Sequence, residues 1–180
     1  SLQLVDRSFG PILPLYLGEV GQPAARVSFL TGVIFTLAAG AAAVGNQGAA
    51  WALARWRAGR VIVVMAFVAA AAAIVFGVGP SLPVMAGAAV VFGAALGLAT
   101  TSVYAAVGQR VSPGERGAAL GFLQTAYLIG LAVSPVIAGF IGATSMRAVF
   151  FADAIGLAGL AWFVHARMTP GPVNGSGGAA

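Results

Sequence analysis

Asp6 and Arg7 are two charged neighbours in an otherwise apolar stretch near the start of the chain, and what they could do depends on depth. At the centre of a membrane helix each costs about 2.5 to 3.5 kcal/mol, a penalty that implies use, for instance as a proton carrier or as the partner of a charged group. At the interface they cost little and act only as anchors. Successive helical residues point about 100° apart, so the two need not pair with each other. Burial and a nearby guanidinium act in opposite directions on a carboxylate, and that competition can leave it able to take up and release a proton.

The other candidates are uncharged. Asn46, Gln47, Thr101, Tyr104, Gln124 and Tyr127 place amides and hydroxyls within long apolar segments, where they could line a cavity for a small molecule. Gln124 and Tyr127 are three apart and share one side of a helix. Thr100, Thr101, Ser102 and Tyr104 could instead satisfy carbonyls of their own helix. Reactive chemistry is poorly represented. Cysteine is absent, which removes thiolate catalysis, disulfides and Cys metal sites. The single histidine, His165, falls at the end of the last apolar stretch, as an interfacial side chain does. Asp6 and Asp153 are the only possible aspartate pair within the spans, and neither sits in a protease motif. No phosphate-binding loop or Gly-x-Ser-x-Gly turn occurs. The expectation is a protein without metal or cofactor that is not an enzyme.

These residues must be positioned by membrane helices. Of 180 residues 60% are hydrophobic and 7% charged, and the mean hydropathy is +0.99, more apolar surface than a soluble domain of this size can bury. Six stretches approach the roughly 20 apolar residues that cross a bilayer. They predict spans at about 2–20, 26–52, 60–79, 84–108, 115–142 and 147–166 within a membrane domain 1–168, followed by a disordered tail 169–180. Runs such as Val61 to Val78 are apolar on every face, which excludes the alternation of barrel strands. That third span should face lipid or prop other helices rather than line a cavity. Ser112-Pro113-Gly114-Glu115 reads as a capping box opening the fifth span. The net charge of +5 comes from arginine in the connections, which argues for topology and against nucleic acid. Arg55, Arg57, Arg60, Arg110, Arg116 and Arg167 fall on one side and Arg26 and Arg147 on the other. Both termini are therefore expected in the cytoplasm, with the protein multi-pass in the cytoplasmic membrane. The first residues carry no basic signal region, so the chain is expected to start inside a span, as a fragment would.

Two motifs carry a resemblance. Gly121, eight residues, Gly130, three residues, Ser134-Pro135, two residues and Ala138-Gly139 is similar to the antiporter motif of major facilitator exporters, Gly-x8-Gly-x3-Gly-Pro-x2-Gly-Gly, with Ser134 and Ala138 standing for two glycines. Gly130, Ser134 and Ala138 form a smooth stripe for close helix packing, and Pro135 frees the carbonyl of Leu131 and favours bending. The loop Leu53 to Arg60 resembles the superfamily's Gly-x-Leu-Ala-Asp-Arg-x-Gly-Arg motif. Arg57, Gly59 and Arg60 match, while Ala52 replaces the first glycine and Trp56 the aspartate, so interface anchoring is expected in place of a full gating latch.

The resemblance implies an all-α membrane protein, six helices forming one half of a twelve-helix major facilitator bundle. The decayed loop motif, and the lack of an arginine near the start of the fourth span, imply the second half. In such a bundle the first, second, fourth and fifth spans face the substrate cavity between rocking halves. The implied function is secondary transport, with proton-coupled efflux of small amphipathic molecules or drugs foremost and sugars or metabolites as other cargo. A six-span scaffold or assembly subunit is the alternative. The implied partners are the lipid bilayer, a small-molecule substrate and the missing six-helix half. Proline-rich Pro11 to Leu17 resembles the outer exit of a first span, which puts Asp6 near mid-membrane. Asp6→Asn in the full-length transporter should then abolish uptake driven by an imposed pH gradient in vesicles. Wild-type uptake would return Asp6 and Arg7 to the interface.

Overall fold

The computed structural model describes residues 24–79, 81–142 and 146–168, which form five helices. They are α1 (Ala24–Arg55), α2 (Ala58–Val78), α3 (Leu82–Arg110), α4 (Arg116–Gly142) and α5 (Met146–Met168). All five are long and apolar enough to cross a membrane. They match the second to sixth expected spans to within a few residues at each end. The expected first span, with Asp6 and Arg7, and the tail 169–180 lie outside the described residues.

The turns follow local chemistry. Arg57 has an extended backbone at the N-cap of α2, and its carbonyl accepts from the amides of Arg60 at 2.9 Å and Val61 at 3.2 Å. Pro83 stands in the first turn of α3, where its missing N–H breaks no helical bond. The capping box expected at Ser112 takes a different form. The Ser112 hydroxyl donates to the Glu115 carboxylate at 2.7 Å and the Glu115 amide to the Ser112 carbonyl at 3.0 Å, closing a turn, and α4 begins only at Arg116.

α3 is the centre of the bundle. It packs along α1 on one side and α2 on the other, α2 also packs along α5, and α4 touches only α3 and α5, lightly. The core is built from alanine, with Phe76, Met85, Phe92, Phe150 and Leu157 as the large fillers. Phe76 and Phe150 meet with ring centroids 5.1 Å apart across the α2–α5 seam, and Gly77 leaves room for Phe150. α2 buries ten residues, among them Ala66, Ala69, Ala73 and Phe76, so of the two roles expected of an all-round apolar span it takes that of a prop for its neighbours.

The closest approach joins α1 to α3. A methyl group added to Gly93 would overlap the backbone of Ala38, one on Gly97 that of Ala42, and one on Gly45 that of Ala94. The contacts climb together from Ala38 and Gly93 to Ala42 and Gly97, so the helices run parallel, meeting through backbone at four-residue steps. Lipid tails are as apolar as leucine, so this fit of surfaces, rather than escape from water, drives association. Gly97→Leu should cost about 2 to 3 kcal/mol by overpacking. Gly87→Leu, where a methyl meets nothing within 4 Å, should stay within about 0.5 kcal/mol, as surface changes do. Thermal or denaturant unfolding in detergent, with wild type alongside, checks the contrast.

Candidate functional site

The backbone ladder continues into polar side chains. One step beyond Ala42 and Gly97, the Thr101 hydroxyl of α3 donates to the Asn46 side-chain oxygen of α1 at 2.9 Å. One turn further along α3, the Tyr104 hydroxyl donates to the Gln124 side-chain oxygen of α4 at 3.0 Å. Three helices are thus joined by a neutral polar seam on one side of α3. At 1.5 Å per residue, Asn46 lies about 13 Å from Arg55 and Thr101 about 13 Å from Arg110, well inside a spanning segment. Gln47 is exposed beside Asn46. Of the hydroxyls that could have bonded their own helix, Ser102 does so, to the Leu98 carbonyl at 2.8 Å, whereas Thr101 and Tyr104 reach across.

Tyr104 and Tyr127 also line a cleft of about 1180 Å³ bounded by α2, α3, α4 and α5. Its inner wall is apolar, with Ile62, Val103, Leu123 and Leu160, and its mouth carries Arg57, Arg60, Arg110 and His165. The first turns of α2 therefore line a cavity, against the expectation from the uniform apolarity of that span. The mouth lies where α3 ends and α2 and α4 begin, the arginine-rich end of the bundle.

Ser134 and Ala138 are the buried residues of α4, at 0% and 1% exposed, and Gly130 between turns is half-buried. Two members of the small-residue stripe thus supply what burial α4 has. Pro135, Gly121 and Gly139 are exposed, and a methyl on either glycine would meet nothing within 4 Å. The helix continues past Pro135 to Gly142. In the loop motif Gly59 is buried in the first turn of α2, while Arg57 and Arg60 are exposed. Beside them Trp51 and Trp56 meet edge to face at 5.7 Å, and the Arg55 guanidinium sits 4.1 Å from the centre of the Trp51 ring. Such a cluster suits the headgroup region, where an indole has both apolar and polar surroundings.

One residue was missed by sequence reasoning as a site candidate. Asp153 on α5 is 5% exposed, a buried carboxylate within a spanning helix. Its signal was available, since an acid inside an apolar span is expensive wherever it lies at depth. Among the described residues no cluster of His, Cys, Asp and Glu could hold a metal ion.

Residues 2–179 match the family model described as Major Facilitator Superfamily. The chain belongs to the Major Facilitator Superfamily. No curated protein is similar enough to it to count as a match. Membership in the Major Facilitator Superfamily makes this a membrane transport protein, and the spanning helices agree. The Asn46–Thr101 bond should behave as interhelical bonds in membranes generally do, with a double-mutant cycle between Asn46→Ala and Thr101→Ala giving a coupling of about 0.6 kcal/mol. Unfolding of the two single variants and the double variant measures it.

Proposed function

We propose that the chain is the second six-helix half of a Major Facilitator transporter that exports small amphipathic molecules in exchange for protons. The observation that carries this reading is the neutral polar seam Asn46–Thr101 and Tyr104–Gln124, with Asn46, Gln47 and Gln124 exposed on α1 and α4. An apolar face with a few amides and hydroxyls binds apolar molecules through shape and a small number of hydrogen bonds, and holds no fixed charge for a strongly anionic or cationic substrate.

The missing six-helix half would cover the open side of α1 and α4. Phe122 and Phe140 of α4 are each 77% exposed, and such large apolar groups need lipid or a second bundle beside them. Both termini lie in the cytoplasm and the protein resides in the cytoplasmic membrane, a reading supported by the arginines gathered at the end of the bundle where α1 and α3 finish. Asp6 is the proton-coupling carboxylate with Arg7 beside it, on the strength of the resemblance of Pro11 to Leu17 to an outer exit. Gly121, Gly130, Ser134, Pro135 and Gly139 serve helix packing and bending.

The test is accumulation of lipophilic dyes by cells with and without the full-length gene, before and after the proton gradient is collapsed. Expression should lower accumulation severalfold, and collapse should abolish the difference. Unchanged accumulation of dyes, drugs and sugars alike would favour a scaffold without transport, whereas gradient-dependent uptake of a sugar would keep transport and discard efflux.

A further inference from the structure

The cleft between α2, α3, α4 and α5, which shares Tyr104 with the polar seam, combines a basic mouth with an apolar slot. Three guanidinium side chains, from Arg57, Arg60 and Arg110, border its mouth together with His165, and among the described residues none lining it is acidic. The chain has four acidic residues, Asp6, Glu19, Glu115 and Asp153, and Glu115 is engaged by Ser112 in the neighbouring turn. Behind the mouth the lining is mostly apolar, from Val107 and Val111 inward to Ile62, Val63, Val103 and Leu160, with Thr100, Tyr104 and Tyr127 among them. From Arg110 to Thr100, the innermost lining residue of α3, the slot extends about 15 Å along the helix, half the thickness of a bilayer's hydrocarbon. Phosphate is, with carboxylate, a group that guanidinium forks bind through paired charge-assisted hydrogen bonds.

We propose that this cleft is a binding site for an anionic phospholipid, with the phosphodiester held by Arg57, Arg60 and Arg110 and one acyl chain lying in the apolar slot. A soluble phosphate ester would use the same arginines and leave the slot empty of matching surface. At about 1180 Å³ the cleft has room for a headgroup and the upper part of a chain. Basic pockets between membrane helices at the headgroup level are suited to such lipids. Tyr104 and Tyr127 lie deeper in the same lining, so a lipid chain there would rest against the α3–α4 junction and steady the most loosely attached helix.

The experiment titrates the purified protein in a neutral detergent with phosphatidylglycerol, phosphatidylcholine or inorganic phosphate, following thermal unfolding and counting retained lipid by native mass spectrometry. Phosphatidylglycerol should stabilise saturably with one lipid retained, phosphatidylcholine should do neither, and millimolar phosphate should not displace the lipid. Arg57→Gln, Arg60→Gln and Arg110→Gln should each weaken phosphatidylglycerol about fivefold, the usual worth of one basic residue at an anionic membrane surface. Arg116→Gln, exposed at the same end but outside the cleft, should leave affinity unchanged. Ala126→Trp, which narrows the slot from an exposed position without altering charge, should also weaken it. Equal stabilisation by phosphatidylcholine, or an Arg116→Gln loss as large as those in the cleft, would overturn the proposal in favour of diffuse surface attraction. Displacement by inorganic phosphate would overturn it in favour of a soluble anion. None of these outcomes depends on whether the protein exports drugs, because none measures transport.

Discussion

The approach of α1 to α3 without intervening side chains is the constraint on which the rest of this bundle depends. Gly45, Gly93 and Gly97 each leave space that even a methyl group would overfill, and the carbonyls of Ala38, Ala42 and Ala94 occupy it. Two helices so close have little freedom to slide or rotate, because the backbone atoms in contact cannot change rotamer. That fixes the register of everything further along. Asn46 follows Ala42 by four residues, Thr101 follows Gly97 by four, and the two side chains meet because the preceding steps have already aligned them. Tyr104, one turn beyond Thr101, is then carried to Gln124. A fit of small residues therefore sets the position of the polar groups, rather than the polar groups drawing the helices together. The modest worth of a membrane hydrogen bond is in keeping with that order.

Rigidity is unevenly distributed as a result. α1, α2, α3 and α5 form one body through the glycine ladder, the alanine core and the Phe76–Phe150 contact. α4 joins that body through Ser134 and Ala138 near its far end and through the Tyr104–Gln124 bond nearer its start. Few packed side chains mean that displacing α4 costs less than displacing any other described helix. Pro135 lies next to Ser134, so the helix lacks one of its own hydrogen bonds beside the place where it is held. A helix held lightly along its length and weakened beside its buried residues is suited to bending there, and a transporter needs an element whose position has more than one affordable setting.

Much of this was legible in the residues. Apolar length marked five helices to within a few residues, and Gly93 and Gly97, four residues apart, carry the spacing of a close approach. Which helix would press there was not legible, since small residues occur on almost every span and Ala38 and Ala42 are two among many. The hydroxyls of α3 divided in a way that composition does not reveal: Ser102 turns back to Leu98, while Thr101 and Tyr104 face neighbours. The misreading of α2 has a physical cause. In water an all-round apolar helix must be buried, but in a membrane lipid and protein interior are alike to it, so apolarity does not say which it faces. The small side chains were the better guide, for Ala66, Ala69 and Ala73 leave the gaps into which α3 and α5 fit.

The charges and the polar seam sit at different depths for a reason that bears on selectivity. Arginines at the helix ends keep their guanidinium groups near water and headgroups, where a charge costs little. About 9 to 13 Å further in, the seam uses amides and hydroxyls alone, and the Thr101 and Tyr104 hydroxyls are each matched by a side-chain amide oxygen before any ligand arrives. A molecule entering there must break or share a bond that already exists, so it gains little from one more hydrogen bond and more from filling apolar space. A site of this kind would discriminate weakly among apolar molecules of different size, because an extra methylene changes little in an apolar pocket.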